Sequence, residues 1–199
     1  MAFLAFGAGA LDYSRSSYIT EVGWVGHQQV PFSHKHHVAD EGIDCRYCHT
    51  GVETSPDAGL PSTHVCMTCH SQLWDKAGVL APVRASLASG RPVRWQRIAQ
   101  LPDYVYFDHS IHIDRGVGCV ECHGRIDRMP LTARAKPFRM GFCLDCHRDP
   151  STRLRPASLV TRMEPLPWTS DERRRFGKAA MAHFGIDPRK LDNCGVCHR

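Results

Sequence analysis

All ten cysteines of this 199-residue chain fall into pairs of a single form, and that form governs what the chain can fold around. The pairs are Cys45/Cys48, Cys66/Cys69, Cys119/Cys122, Cys143/Cys146 and Cys194/Cys197, and each is followed at once by a histidine: His49, His70, His123, His147 and His198. C-x-x-C-H is the attachment motif of c-type haem. Two thiols three residues apart can add to the two vinyl groups of one porphyrin, and the next residue is then held beneath the iron as its proximal ligand. Zinc sites and thioredoxin-like dithiols also use C-x-x-C, but neither requires a histidine directly after the second cysteine. The sequence therefore predicts five covalently attached haem c groups.

Composition agrees with an interior made of cofactor. Hydrophobic residues make up 42% of the chain and aromatics 9%, with 16 glycines and 13 prolines, so a conventional core would be thin. The expected fold is mostly irregular with short α-helices, a multihaem cytochrome c organised around five covalently bound haems, with Phe107, Phe142 and Trp168 packed on the porphyrins. Each motif should form one helical turn. The clearest longer helix is 170–184, where Thr169 and Glu172 fit a capping box and Gly185 a stop. Phe176, Ala179, Ala180 and His183 read as one face of it. A shorter helix is expected near 72–80, and no alternating strand is evident. The formal charge of +5 does not argue for nucleic acid. Each haem brings two propionates against one net positive charge at the oxidised core, so five shift the total by about −5. Arginine far outnumbers lysine, which suits guanidinium–propionate pairing. Arg148 and Arg199, each directly after a haem histidine, are the first such candidates.

An internal repeat supplies the distal ligands. Phe32-Ser33-His34-Lys35-His36-His37 precedes the first motif and Phe107-Asp108-His109-Ser110-Ile111-His112 the third, both as F-x-H-x-x-H. Residues 32–70 and 107–147 thus form two dihaem modules, with 71–106 between them and 148–199 carrying the fifth haem; together 25–199 make the pentahaem domain. His34 and His109 are expected to serve the first and third irons. His37 and His112, one helical turn on, would reach a neighbouring haem. An iron with two strong ligands is closed and passes electrons, whereas an open position would allow chemistry on a small molecule. For the remaining iron, Met140 and His183 are both candidates; His183 stands 11 residues before Cys194, as His34 does before Cys45. His27, His36, His64 and Met129 are weaker.

Thioether attachment takes place outside the bacterial cytoplasm, so the chain is expected on the periplasmic, positive side of the inner membrane. Residues 1–24 open on an apolar stretch, Met1 to Leu11, without the charged start of a signal peptide. It reads as a membrane anchor, or as a part that contacts a membrane-embedded partner, with Tyr13, Tyr18 and Trp24 near the surface.

The modules resemble class III multihaem cytochromes. With Leu60-Pro61-Ser62 before Cys66 and Met140-Gly141-Phe142 before Cys143, residues 30–199 are similar in haem number and order to the pentahaem subunit of alternative complex III. That resemblance implies an electron-transfer subunit of a quinol-oxidising respiratory or photosynthetic complex. It would take electrons from iron–sulfur and integral-membrane subunits and pass them to a monohaem cytochrome, another soluble carrier or an oxidase. The alternatives are a free periplasmic carrier and, against the abundance of distal ligands, a multihaem reductase with an open haem site.

Overall fold

The structure, a computed structural model, describes residues 2–198; Met1 and Arg199 lie outside the described residues, and the expectation for Arg199 with them. Its helices are α1 (Ala2–Arg15), α2 (Ser17–Thr20), α3 (Cys45–Cys48), α4 (Thr63–His70), α5 (Ala81–Ser89), α6 (His109–Asp114), α7 (Cys119–His123), α8 (Met140–Arg148), α9 (Ser170–Phe184), α10 (Pro188–Leu191) and α11 (Cys194–Cys197). Among the described residues there is no strand beyond two isolated antiparallel bridges, Val25–Ala133 and Val117–Leu154.

The five motifs lie on α3, α4, α7, α8 and α11, each in one helical turn or at the end of a short helix. Two of these turns carry their own start signal. Asp44 accepts a hydrogen bond from the Arg46 backbone N–H, and Asn193 one from that of Gly195. Such caps satisfy donors that a four-residue helix cannot satisfy internally. In both turns the histidine N–H closes on the first cysteine carbonyl, His49 on Cys45 and His198 on Cys194, each at 2.9 Å.

Helix α9 runs over the expected residues, with the Thr169/Glu172 capping box and Gly185 at φ +63°. Its buried face differs from the expected one. Gly177 and Ala180 are buried, while Ala179 and His183 are exposed. The contact line passes through the smallest side chains because α9 lies directly on the 3-10 turn Pro150–Thr152; a Cβ at Gly177 would stand 2.7 Å from Ser151 Cα. The helix expected near 72–80 is also displaced. Residues 71–77 turn, Gly78–Leu80 make a 3-10 turn, and α5 begins at Ala81. Pro82 has no N–H to lose in a first turn and so starts this helix rather than breaking it.

Apolar burial is sparse. Val30, Leu80 and Val83 form one cluster, flanked by Met67 and Trp95; Val52, Ile113 and Val160 form another, against Ala58 and Cys119. The polypeptide exposes 13008 Å², whereas a compact chain of 22.3 kDa would expose about 9,400 Å². Part of the excess is α1, about 21 Å long, with exposed Phe6, Leu11 and Tyr13. The end of α1 is held by a hydrogen bond from Arg139 to the Ser14 carbonyl at 2.5 Å, and the segment after it by Gly23 N–H donating to the Arg134 carbonyl and by a 3.1 Å ion pair between Arg134 and Glu21. No helix of the described residues is long and apolar enough to cross a membrane.

Candidate functional site

The repeat read from the sequence is a repeat in space. Phe32 stands edge-on to His34 at 4.9 Å and stacks on His37 at 4.3 Å; Phe107 stands edge-on to His109 at 4.7 Å and stacks on His112 at 4.5 Å. In the first copy the histidines sit at the start of a π-helical turn, Lys35–Asp40; in the second they sit on α6. The phenylalanine fixes both ring planes in each copy, which explains why it stands two residues before the first histidine.

Three motif histidines face a second histidine ring. His37 lies 6.1 Å from His70, His109 6.5 Å from His123, and His112 6.2 Å from His147, centroid to centroid. Metal–imidazole nitrogen bonds run to about 2.0 Å, so two rings on opposite sides of one ion have centroids about 6 Å apart. The spacing suits a metal between the rings and is too wide for a close stack. For the first motif, His34 is near enough to His49 that a charge there would bear on it. His198 of the fifth motif has the Tyr104 ring beside it at 5.9 Å.

Protonation is set for ligation as well. His37 Nδ1–H donates to the Ser33 carbonyl, His49 to Gly59, His70 to Leu73, His109 to Pro56, His112 to Asp108, His147 to Leu191 and His198 to Tyr104, all between 2.6 and 3.1 Å. His34 Nδ1 is hydrogen-bonded to Thr132 Oγ1 at 2.9 Å. A histidine that donates through Nδ1 keeps its lone pair on Nε2, the atom left to hold a metal. Burial pushes His34 down to about 4, with His49, His37 and His123 adding to it, and pushes His123 down to about 4, with His109 and His49 adding. Both imidazoles are therefore neutral at pH 7, as a ligand must be.

Most of the thiols that shift are raised; Cys119, lowered by its contact with Cys45 of another motif, is the exception. All ten are unpaired. Burial pushes Cys122 up to about 12, with Cys146 and Cys143 adding to it, and burial also raises Cys48, Cys66, Cys143 and Cys146. A redox-active C-x-x-C pair has a lowered thiol instead. Beside motif three, Ile98, Cys122, His123, Ala135 and Phe138 line a recess. Facing imidazoles beside unpaired C-x-x-C thiols fit an attached haem c.

The weaker candidates are placed elsewhere. His27 and His64 are exposed, and His36 stacks on Trp74 at 5.7 Å with Asp40 and Glu41 3.9 Å away. His183 points outward beside Phe184, and Met129 Sδ accepts from the Ala133 N–H. Met140 is the first residue of α8, one turn before Cys143, and is 67% exposed. Arg148 pairs with Asp192 at 3.6 Å. Phe142 meets Phe138 at 5.8 Å and Trp168 meets Phe176 at 5.2 Å.

Sequence reasoning missed the clamp behind motif three. Arg155, 7% exposed, donates to Glu121 within that motif and to the Arg162 carbonyl, and its Nε has no partner among the described residues. It lies against Gly118, where a Cβ would stand 2.6 Å from its Cζ. The only available signal was a glycine directly before Cys119. Asp44 and Asn193 also went unread as caps, and their place directly before Cys45 and Cys194 is the signal for them.

Residues 105–199, which hold motifs three to five, match the family described as cytochrome c7 and related cytochrome c. The chain is also 41% identical over 98 residues to the protein named menaquinone reductase, multiheme cytochrome c subunit, of Nitratidesulfovibrio vulgaris. That match takes in 48% of this chain and 45% of the relative, so the chain spans about half the relative's length. The likeness to multihaem cytochromes c thus lies in the stretch that carries motifs three to five, and the fold of the described residues is mostly irregular with short α-helices.

Proposed function

We propose that the chain is a pentahaem electron-transfer subunit of a membrane, quinone-linked complex of the kind the alternative complex III resemblance implies, working on the periplasmic side. The observation that carries this is the set of facing imidazoles, 6.1 to 6.5 Å apart, at three of the five motifs. When bound, haem c supplies the one-electron couple. In this reading the ten motif cysteines anchor the porphyrins and His49, His70, His123, His147 and His198 are the proximal ligands. His34 serves motif one, His37 motif two, His109 motif three and His112 motif four. Met140 serves the fifth: it stands one turn before Cys143, whose thiol feels Cys197 of motif five. His183, exposed on α9, is the alternative. The Nδ1–H donations to backbone carbonyls orient the rings and raise their basicity. Helix α1, with its exposed Phe6, Leu11 and Tyr13, is the part that meets the membrane or a membrane-embedded partner. Iron–sulfur and integral-membrane subunits are the neighbours on one side, and a monohaem cytochrome or other soluble carrier is the partner on the other.

The relative's name favours a second reading, in which the same relay runs toward menaquinone. Membranes containing the full complex separate the two. Reduction of the haems by added menaquinol supports the first direction, and reoxidation of pre-reduced haems by menaquinone supports the second. Mass spectrometry of the mature chain should show five added porphyrins, and the oxidised spectrum should be low-spin throughout. Fewer porphyrins, or a sizeable high-spin fraction, would defeat the closed-relay reading and favour a reductase. Purification free of any membrane partner would favour a free carrier. Met140→Leu should lower one midpoint potential and abolish the far-red methionine–iron band; an unchanged band would move the assignment to His183.

A further inference from the structure

The motifs do not succeed one another in space in the order they take along the chain. Motifs one and two touch through a hydrogen bond between Tyr47 and Thr68, their own third residues, at 3.1 Å. Motifs one and three share a tether of two consecutive residues. Thr161 donates to Asp44, the cap of motif one, at 2.9 Å, and the Val160 carbonyl accepts from the Cys119 N–H of motif three, also at 2.9 Å. Motifs three and four meet across α6, whose His109 faces His123 at 6.5 Å and whose His112 faces His147 at 6.2 Å. There Arg153 reaches to Glu121 in the middle of motif three at 3.3 Å while lying close enough to Cys146 to bear on it. Motifs four and five are tied by His147 donating to the Leu191 carbonyl at 2.9 Å and by the Arg148–Asp192 pair.

Exposure gives the same pattern independently. Of the ten thiols only two are exposed, Cys69 in motif two and Cys194 in motif five. Those are the motifs with one neighbour in the chain of contacts above. The six cysteines of motifs one, three and four are all half-buried.

We infer that the haems stand in the order two, one, three, four, five, so that the relay enters and leaves the protein at motifs two and five and every electron must cross motif three. This rests on the five-haem reading and goes beyond it in assigning the path. The repeat explains the fold-back. Each F-x-H-x-x-H segment hands its second histidine to the second motif of its own module, His37 to His70 and His112 to His147, so within a module the two motifs are fixed side by side. The modules then join through their first motifs, one against three. That junction places motif two at an outer end and lets the last motif extend the other.

Iron-edge anomalous diffraction from crystals of the full chain carrying all its haems tests the order without any substitution. The iron of motif two should have the iron of motif one as its nearest neighbour, the iron of motif five should have that of motif four, and the pair two–five should be the most widely separated. Five irons with motif two or motif five lying between two others would overturn the order and leave the five-haem reading intact. Fewer than five irons would refute that reading, and the order with it.

Discussion

Gly177→Ala would test the packing that holds the C-terminal helix to the rest of the molecule. Position 177 lies mid-helix, where replacing glycine by alanine ordinarily stabilises by about 1 kcal/mol. Here the new Cβ would overlap the Ser151 carbonyl oxygen and stand 2.5 Å from Ser151 C. The obstacle is backbone, in a turn pinned by Asp149 accepting from Ser151, so no rotamer change relieves it. Overpacking costs typically about 1–3 kcal/mol and more where backbone must move, so a net loss of about 2 kcal/mol remains after the helix gain. For a chain of this size each kcal/mol moves Tm by roughly 2–4 °C, and the melt of the haem-loaded protein should fall by about 4–8 °C. The turn directly follows His147 and Arg148, so resonances of the fourth haem should shift while those of the second do not. A variant as stable as the parent, or more stable, would refute direct seating of α9 on residues 150–152.

Other substitutions address the ligands and the caps. His37→Met should exchange one bis-histidine pair for a histidine–methionine pair. Axial ligands set haem potentials over a span of about 0.8 V, so one midpoint in a redox titration should rise by something on the order of 0.1 V; a fall, or no change, would remove His37 from the ligand set. Asp44→Asn keeps the cap and removes the charge. The hydrogen bond from Arg46 is the main cause holding this carboxyl down to about 2 from 3.8. Its contribution is therefore complete above pH about 4 and is lost as pH falls through about 2. The side chain is 42% exposed, so solvent screening limits the effect to about 1 kcal/mol. Denaturation curves for parent and variant should differ by that amount at pH 7 and converge near pH 2; a constant difference would assign the effect to something other than this charge.

Legibility followed the chemistry that each feature needs. The five C-x-x-C-H turns were plain because the motif fixes both spacing and residue type, and the facing histidines because the F-x-H-x-x-H repeat occurs twice. Helix α9 was legible in extent because its caps are side chains. Its buried face was not, because docking through Gly177 and Ala180 depends on the closeness of another backbone, which apolar periodicity does not report; His183 was placed on the wrong face for that reason. Most partners of the histidine Nδ1 atoms were unreadable since, Thr132 for His34 apart, they are carbonyls, and every residue has one. Arg155 gave no signal because its burial follows from a missing side chain at Gly118. Helix α5 lies beyond the expected 72–80 because Pro82 fits a first helical turn and starts the helix there.

The polar anchoring of the ligands also bears on whether the polypeptide can fold before the haems are attached. Several Nδ1 bonds reach far along the chain: His109 to Pro56, His147 to Leu191 and His198 to Tyr104. They close long loops, whose entropy must be offset by something that binds both ends. The apolar clusters that could do so consist of a few valines, isoleucine and leucine, with Val83 and Val160 the largest fully buried side chains. A cluster of that size cannot outweigh the ordering of nearly 200 residues at about 1–2 kcal/mol each in backbone entropy alone. Facing imidazoles 6 Å apart make this worse when nothing lies between them, since each Nε2 is then left without a strong partner. The full chain produced without haem attachment should therefore show no cooperative thermal transition and fast amide exchange throughout, including in α7 and α8. A haem-free chain with a sharp melt and protected amides in those helices would show that the protein alone builds the cradle, and the cofactors would then be passengers in the fold rather than its core.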